Sequence, residues 1–253
     1  MSFAPKSALV TGGSGGIGSA IVEELLKNGI KILAVLDISP EEPSIVQEWR
    51  KKFPGVTVKY YRVDVTSQEE LEKCYAEFVK EAKNLDVVVN CAGIFNENIA
   101  KRVVDVNLGG VILSTIVAIE HMRANGKGKG GVILNIASIA GLEPFGMAPT
   151  YCATKHGVIA FTRAMDHKRD FLGIRFLSLC PGTTDTDLYN NCFKLAFMPT
   201  KGLEDTVRSL LVLQTCEDVG KAALKYIQEG KSGSVWVIDS GKIMECPVKD
   251  IRL

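Results

Sequence analysis

The sequence predicts an α/β fold: a doubly wound parallel sheet of about seven strands, flanked by helices and built as a single domain over residues 1–253. Three observations carry this. Short β-rich runs alternate with helical stretches about six times. Most of those runs are apolar nearly throughout, as strands covered on both faces must be. No repeat, low-complexity tract or Pro/Ser-rich linker divides the 253 residues, a length that buries most of the unfolded chain's surface. Right-handed crossovers give the double winding. Such sheets bind ligands outside the carboxyl ends of the strands, where strand order reverses.

In chain order, the β-rich runs are Ser7–Thr11, Lys31–Asp37, Val56–Val63, Asp86–Asn90, Gly131–Ala137, Ile174–Cys180 and Val235–Ile238. Between the first two, Ile17, Ile21, Val22, Leu25 and Leu26 form one apolar stripe of a helix over Ile17–Asn28. Ser67 caps a second helix over Ser67–Lys83, whose Glu69, Glu70, Lys73, Glu77 and Lys80 give it a wet face. Val104–Met122 and Val158–Phe171 read as long apolar helices, and 150–170 as helical throughout. The run Gly126–Gly131 is a loop, because the apolar pattern resumes at once after it.

Composition excludes several classes. Thirty Lys+Arg against 29 Asp+Glu leave a formal charge of +1, so there is no field to attract nucleic acid. Apolar residues at 46% exclude a disordered chain. No apolar stretch reaches the roughly 18–20 residues of a membrane span, and the N-terminus lacks a signal-peptide pattern. The seven cysteines are scattered with no C-x-x-C pair, which points to free packing thiols in a reducing, cytoplasmic compartment, with no disulfide frame and no metal site. His121, His156 and His167 show no ligand spacing.

The first strand runs into Thr11-Gly12-Gly13-Ser14-Gly15-Gly16-Ile17-Gly18 and then a helix. A turn without Cβ atoms, opening a helix N-terminus, offers backbone N–H groups to a pyrophosphate. Its place in the first βαβ unit makes a nucleotide site of it; the alternative is a plain turn. The second strand ends at Asp37, 19 residues past Gly18. A carboxylate there accepts from the adenosine ribose hydroxyls and repels a 2′-phosphate, favouring NAD over NADP; otherwise it is a turn residue before Ser39-Pro40. Asp64, after the third strand, could meet an adenine amino group or simply be a solvated strand end.

The fifth strand ends at Ser138, and Tyr151 follows 13 residues later with Lys155 one helical turn beyond. An ammonium ~5 Å away at an effective dielectric of ~20 stabilises a phenolate by about 3 kcal/mol, or ~2 pKa units. That would bring Tyr151 within range as a general base toward an alcohol hydroxyl, with Ser138 holding the substrate oxygen. The alternative is a surface helix pair.

These motifs together resemble the short-chain dehydrogenase/reductase family. The resemblance runs from Ser7 to about Gly241: T-G-x-x-x-G-x-G at Thr11–Gly18, Asp37, Asp64-Val65, N-x-A-G at Asn90–Gly93, V-N-x-x-G at Val106–Gly110, Ser138, Tyr151, Lys155 and P-G-x-x-x-T at Pro181–Thr186. It implies a single Rossmann-type NAD(P)-binding domain. It implies Tyr151 as acid/base, Lys155 on the nicotinamide ribose, Ser138 positioning substrate and Asn107 keeping a water-linked proton path. For the cofactor it implies Gly12, Gly16 and Gly18 at the phosphates, Ser14 and Ile17 also in the binding site, Asp37 at the ribose, and Asp64 and Val65 at the adenine. Asn90 would line the cleft, Thr186 would meet the carboxamide side, and Ala92, Gly93, Pro181, Gly182 and Thr183 would also bind the cofactor.

Within the family the chain is similar to the group of 15-hydroxyprostaglandin dehydrogenases and insect alcohol dehydrogenases, through Phe95–Asn98, Ala137–Leu142 and Tyr151–Gly157. It departs at Cys91, at Met147 and Ala148 where polar glutamines are expected, and at Asp185. Apolar Leu142, Phe145, Met147, Leu188, Tyr189, Phe193, Leu195, Phe197 and Met198 would then line a site for a lipophilic, secondary alcohol or its ketone. A substrate loop or lid is expected around 183–215, and the family implies a homodimer or homotetramer. Two other readings stand beside this one: a non-catalytic NAD- or lipid-binding member of the fold, and an NADPH-linked carbonyl reductase.

Overall fold

The structure is a computed structural model and describes residues 6–197, 204, 208–209 and 211–247. In chain order the elements are β1 (Ser7–Thr11), α1 (Gly16–Lys27), β2 (Ile32–Asp37), α2 (Ser44–Lys52), β3 (Thr57–Arg62), α3 (Gln68–Ala82), β4 (Val87–Asn90), α4 (Ala100–Val104), α5 (Val111–Met122), β5 (Gly131–Ile136), α6 (Pro149–Asp166), α7 (Arg169–Leu172), β6 (Ile174–Pro181), α8 (Asp187–Cys192), α9 (Cys216–Glu229), β7 (Val235–Asp239) and β8 (Lys242–Glu245).

The sheet order is β3-β2-β1-β4-β5-β6-β7-β8. Seven strands are parallel, and β8 runs antiparallel to β7. The sheet therefore has eight strands, one more than the sequence predicts. Ser240 (φ 50°) and Gly241 (φ 72°) supply the two left-handed positions of a tight hairpin turn between β7 and β8. All four β8 residues are exposed, so no apolar run marks the strand.

Side chains alternate across the sheet as the pleat requires. Ala8, Val10, Val87 and Val89 face one core, with Ile21 and Leu25 of α1, Trp49 of α2 and Tyr226 of α9. Leu9, Val88 and Ile133 face the other, with Tyr75 and Phe78 of α3 and Val117 and Met122 of α5. Strands buried on both faces explain the unbroken apolar runs. Ser67 caps α3 by accepting from the Glu70 amide at 3.3 Å.

Two expectations about helices change. The 150–170 stretch is not one helix: α6 ends at Asp166 and α7 starts at Arg169. Residues Glu97–Met122 are, at 26 residues, long and apolar enough by length and composition to cross a membrane, where the sequence shows no such stretch; half of the most apolar 18 residues is buried inside the domain, and α5 packs there on α3 and β4 as a core helix. Between α4 and α5 the backbone widens into a π-helical turn, Asp105–Gly110.

Candidate active site

Strand order reverses between β1 and β4, and a cavity of about 560 Å³ opens at their carboxyl ends. The glycine turn forms one wall. Gly12 has φ 63°, and a Cβ there would lie 2.7 Å from Ala92 Cα. A Cβ on Gly18 would lie 2.0 Å from the Gly12 carbonyl oxygen, and one on Gly16 would lie 2.9 Å from Thr186 Cγ2. No larger residue fits these positions without displacing backbone or cleft wall. The turn thus leaves room for a phosphate against the start of α1.

Along the carboxyl edge lie Asp64 and Val65 beyond β3, Asp37 at the end of β2, Gly12, Gly16, Ile17 and Gly18 after β1, and Ala92 and Gly93 after β4. Ser138 follows β5, and Pro181, Gly182, Thr183 and Thr186 follow β6. Tyr151 and Lys155 enter from α6. This row of small residues, ending in carboxylates on one side and a phenol on the other, fits an extended dinucleotide.

The Asp37 carboxylate accepts from Ser14 N at 3.1 Å, from the Ser14 hydroxyl and from Ile38 N at 2.8 Å. Ser14 is outside the cavity lining and acts on Asp37. The Asp64 carboxylate takes the Thr66 amide at 2.9 Å, the Thr66 hydroxyl at 2.8 Å and Arg102 Nη2 at 2.8 Å. Burial raises the Asp64 carboxyl, but the Arg102 and Thr66 hydrogen bonds outweigh it and hold it below the usual aspartate range. Arg102 itself lines the cavity.

Lys155 is 5% exposed; its Nζ donates to the Ile136 carbonyl at 2.9 Å and stands 5.5 Å from the Tyr151 ring centre. Ser138 Oγ accepts from Ala140 N at 3.1 Å, and its hydroxyl favours the ionised form of the Tyr151 phenol. Burial pushes the Tyr151 phenol up to about 12, only partly offset by Ser138, and burial lowers the Lys155 ammonium to about 8. This reverses the pairwise expectation of a depressed phenol: desolvation by burial outweighs the lowering from Ser138.

Asn107 and Asn90 sit elsewhere than cleft-lining positions. Asn107, fully buried in the π-helical turn, accepts from Ile94 N at 2.8 Å and donates to Ile94 O at 2.9 Å. A Cβ on Gly93 would lie 3.5 Å from Asn107 Oδ1 and 3.8 Å from Lys155 Nζ, so these three positions adjoin. Asn90 turns into the interior. It donates to Thr115 at 3.1 Å and Asn135 at 2.8 Å and accepts from Ser114 at 2.6 Å. Sequence motif matching places Asn90 beside the cleft; the strand pleat points its side chain away from it.

Phe145, Met147, Leu188, Tyr189 and Phe193 line the cavity near Tyr151. Leu142, Leu195 and Phe197 are outside the lining, and Met198 lies outside the described residues, as does most of 198–210. Sequence reasoning missed Arg102, Cys192 and Leu211, which also line the cavity. It also missed Gln214, 3% exposed, whose amide donates to Thr184 at 3.1 Å and Ile238 O at 2.9 Å and accepts from Gly241 N at 3.3 Å. The Asp185 carboxylate accepts from Asn190 Nδ2 at 3.3 Å, while its backbone N–H donates to Gln214 O at 3.0 Å and its carbonyl accepts from Cys216 Sγ at 3.2 Å. Among the described residues no group of three or more His, Cys, Asp or Glu could hold a metal ion, and all seven cysteines are free.

Residues 6–194 match the family described as short chain dehydrogenase. The chain belongs to the short-chain dehydrogenase/reductase family. Membership makes it an oxidoreductase of alcohol and carbonyl groups with a nicotinamide dinucleotide, NAD(P), as cofactor. It is 34% identical to alcohol dehydrogenase 1 of Ceratitis cosyra over 246 residues, 96% of this chain and 95% of that protein. It is 34% identical to 15-hydroxyprostaglandin dehydrogenase [NAD(+)] of Macaca fascicularis over 194 residues, 75% of this chain and 72% of that one. Among solved structures, ElxO with NADP bound superposes with a TM-score of 0.79 at 27% identity, covering 93% of this chain and 98% of that chain. A short-chain type dehydrogenase/reductase from Mycobacterium ulcerans shares the fold with a TM-score of 0.80 at 24% identity, covering 95% and 90%.

Proposed function

We propose that this family member is an NAD-dependent dehydrogenase that interconverts a lipophilic, secondary alcohol and its carbonyl. The observation that carries the reading is one cluster: Tyr151 and Ser138 lining the same cavity, Lys155 Nζ 5.5 Å from the Tyr151 ring, and apolar Phe145, Met147, Leu188 and Phe193 around them. An apolar chamber with few polar groups suits a substrate that offers one hydroxyl and much hydrocarbon.

Gly12, Gly16 and Gly18 would hold the cofactor's phosphates, Asp37 its adenosine ribose, and Lys155 its nicotinamide ribose. When bound, the nicotinamide supplies the hydride-accepting centre. Ser138 holds the alcohol oxygen, and Tyr151 takes the hydroxyl proton onto its phenol oxygen, or returns it in carbonyl reduction. A phenol held near 12 keeps its proton at neutral pH, so it is ready as a donor, and its fraction as a base grows as pH rises. Oxidation should therefore accelerate toward alkaline pH.

Asp37 supports NAD over NADP: its unpaired charge repels a 2′-phosphate, and Ser14 and Ile38 N hold the carboxylate in place. Seven free thiols support a cytoplasmic setting. Exposed Ile99, Val104 and Ile116 along the α4–α5 segment support a homodimer or homotetramer, and segment 183–215 is read as the substrate lid.

The test is a screen of short, terpenoid, steroid and hydroxy-fatty alcohols with NAD, read by the absorbance of reduced nicotinamide. Turnover of apolar secondary alcohols by the wild type and none by Tyr151→Phe is expected. Cofactor binding without turnover of any alcohol would favour a non-catalytic role, and tighter binding of NADPH than NADH would reverse the cofactor assignment.

A further inference from the structure

Helix α6 carries Tyr151 as its third residue, yet no side chain at its capping position caps it. The capping position is Ala148, which has no side-chain acceptor, and Pro149 follows. The first free amides of the helix are instead taken by a residue 53 positions upstream. Glu97 Oε2 accepts from Thr150 N at 2.9 Å, and Glu97 Oε1 accepts from Tyr151 N at 2.9 Å. Glu97 is only 7% exposed, so both bonds form in a largely water-excluded place, where charge-assisted hydrogen bonds are strong.

Glu97 has a second attachment. Its own amide donates to the Leu195 carbonyl at 2.8 Å, just past α8, and Phe197 N donates to Met147 O at 2.9 Å in the loop before α6. Leu188, Tyr189, Cys192 and Phe193 of this same region line the cavity. One residue thus joins the wall of the substrate end to the backbone of Tyr151.

We propose that Glu97 is a positioning residue: its bidentate hold on Thr150 and Tyr151 sets the phenol oxygen against Ser138 and Lys155 and ties that setting to the 188–195 segment. This rests on the reading of Tyr151 as acid/base. Misplacing a reacting group by about 1 Å costs up to about a hundredfold in rate. In Glu97→Gln, one amide oxygen replaces two carboxylate oxygens, and the amide nitrogen faces a backbone N–H that it cannot accept from.

The experiment compares wild type, Glu97→Gln, Glu97→Asp and Tyr151→Phe. It measures kcat, KM for alcohol, NADH affinity by fluorescence, the primary deuterium isotope effect on kcat, and melting temperature. Glu97→Gln should lose about tenfold or more in kcat with a larger isotope effect, because the chemical step slows, while NADH affinity stays within about twofold. Glu97→Asp should restore little, its shorter arm being unable to span both amides. A merely structural cap would lower the melting temperature by a few degrees and leave kcat and the isotope effect unmoved; that result overturns the proposal, as does full activity in Glu97→Gln. If wild type and Tyr151→Phe are equally active, the reading of Tyr151 fails instead, and the two failures are told apart within one data set.

Discussion

The Lys155 ammonium stands 5.5 Å from the Tyr151 ring centre, and the same burial disfavours the charged form of both groups. Lys155 falls to about 8 from the ordinary lysine value of 10.5. The unfolded chain binds that proton more tightly, so the buried ammonium opposes folding below pH 8 by about 3 kcal/mol, and this cost fades as pH rises from 8 to 10.5. Lys155→Met should therefore be more stable than wild type at pH 7 by about 1–2 kcal/mol, after loss of the Ile136 hydrogen bond, and lose that advantage by pH 10. It should also be inactive. Urea unfolding of both proteins at the two pH values checks this; equal stability at pH 7 would refute it.

Asp37 should set the dinucleotide preference. Wild type is expected to bind NADH at least about tenfold tighter than NADPH, since a carboxylate beside a 2′-phosphate costs a few kcal/mol at an effective dielectric of ~20. Asp37→Ala should narrow that ratio by relieving this repulsion on NADPH and by loosening the hold on the NADH ribose. Titration calorimetry with both cofactors measures it, and an unchanged ratio would show that Asp37 does not read the ribose.

Arg102 should matter to cofactor affinity and little to chemistry. Its ion pair with Asp64 is about two-fifths exposed on the arginine side, so the pair is worth under about 1 kcal/mol. Arg102→Ala should raise the KM for NAD about two- to fourfold with kcat unchanged. Because Asp64 is held low by Arg102, the variant's KM should worsen further on acidification, as the carboxylate protonates at higher pH than in wild type. A fall in kcat alone would contradict this.

Gln214 should hold the cleft wall after β6 in shape. Its amide bonds Thr184, Ile238 and Gly241, and its backbone N–H donates to Thr183 O at 3.0 Å. Gln214→Ala leaves buried partners unpaired and should cost about 2–3 kcal/mol with a raised KM for NAD. Denaturant midpoints and KM together test it; a stable variant with ordinary KM would assign the loop's shape to other contacts.

The parallel strands were legible because burial on two faces leaves no polar alternation to interpret, and the Ser138–Tyr151–Lys155 spacing was legible because a helix turn is a fixed length. Strand β8 was not: Lys242, Ile243, Met244 and Glu245 are all exposed and show no pattern tied to a core. Glu97 was invisible because the amides it holds are 53 and 54 residues away. The Tyr151 shift was misjudged because a pairwise Coulomb sum contains no desolvation, which only the packed surroundings reveal. Asn90 was misplaced because a motif fixes a position along a strand, and the side chain's direction depends on the pleat.

The widened turn at Asp105–Gly110 sets regularity against reach. Removing one residue, such as Gly109, would let an uninterrupted α-helix form. It would also swing Asn107 off the Ile94 backbone it clasps from both sides, and turn everything beyond by roughly a quarter of a revolution. A tidier helix here would be a poorer scaffold, and a shortened variant is expected to trade local order for a slackened floor beneath the reacting groups.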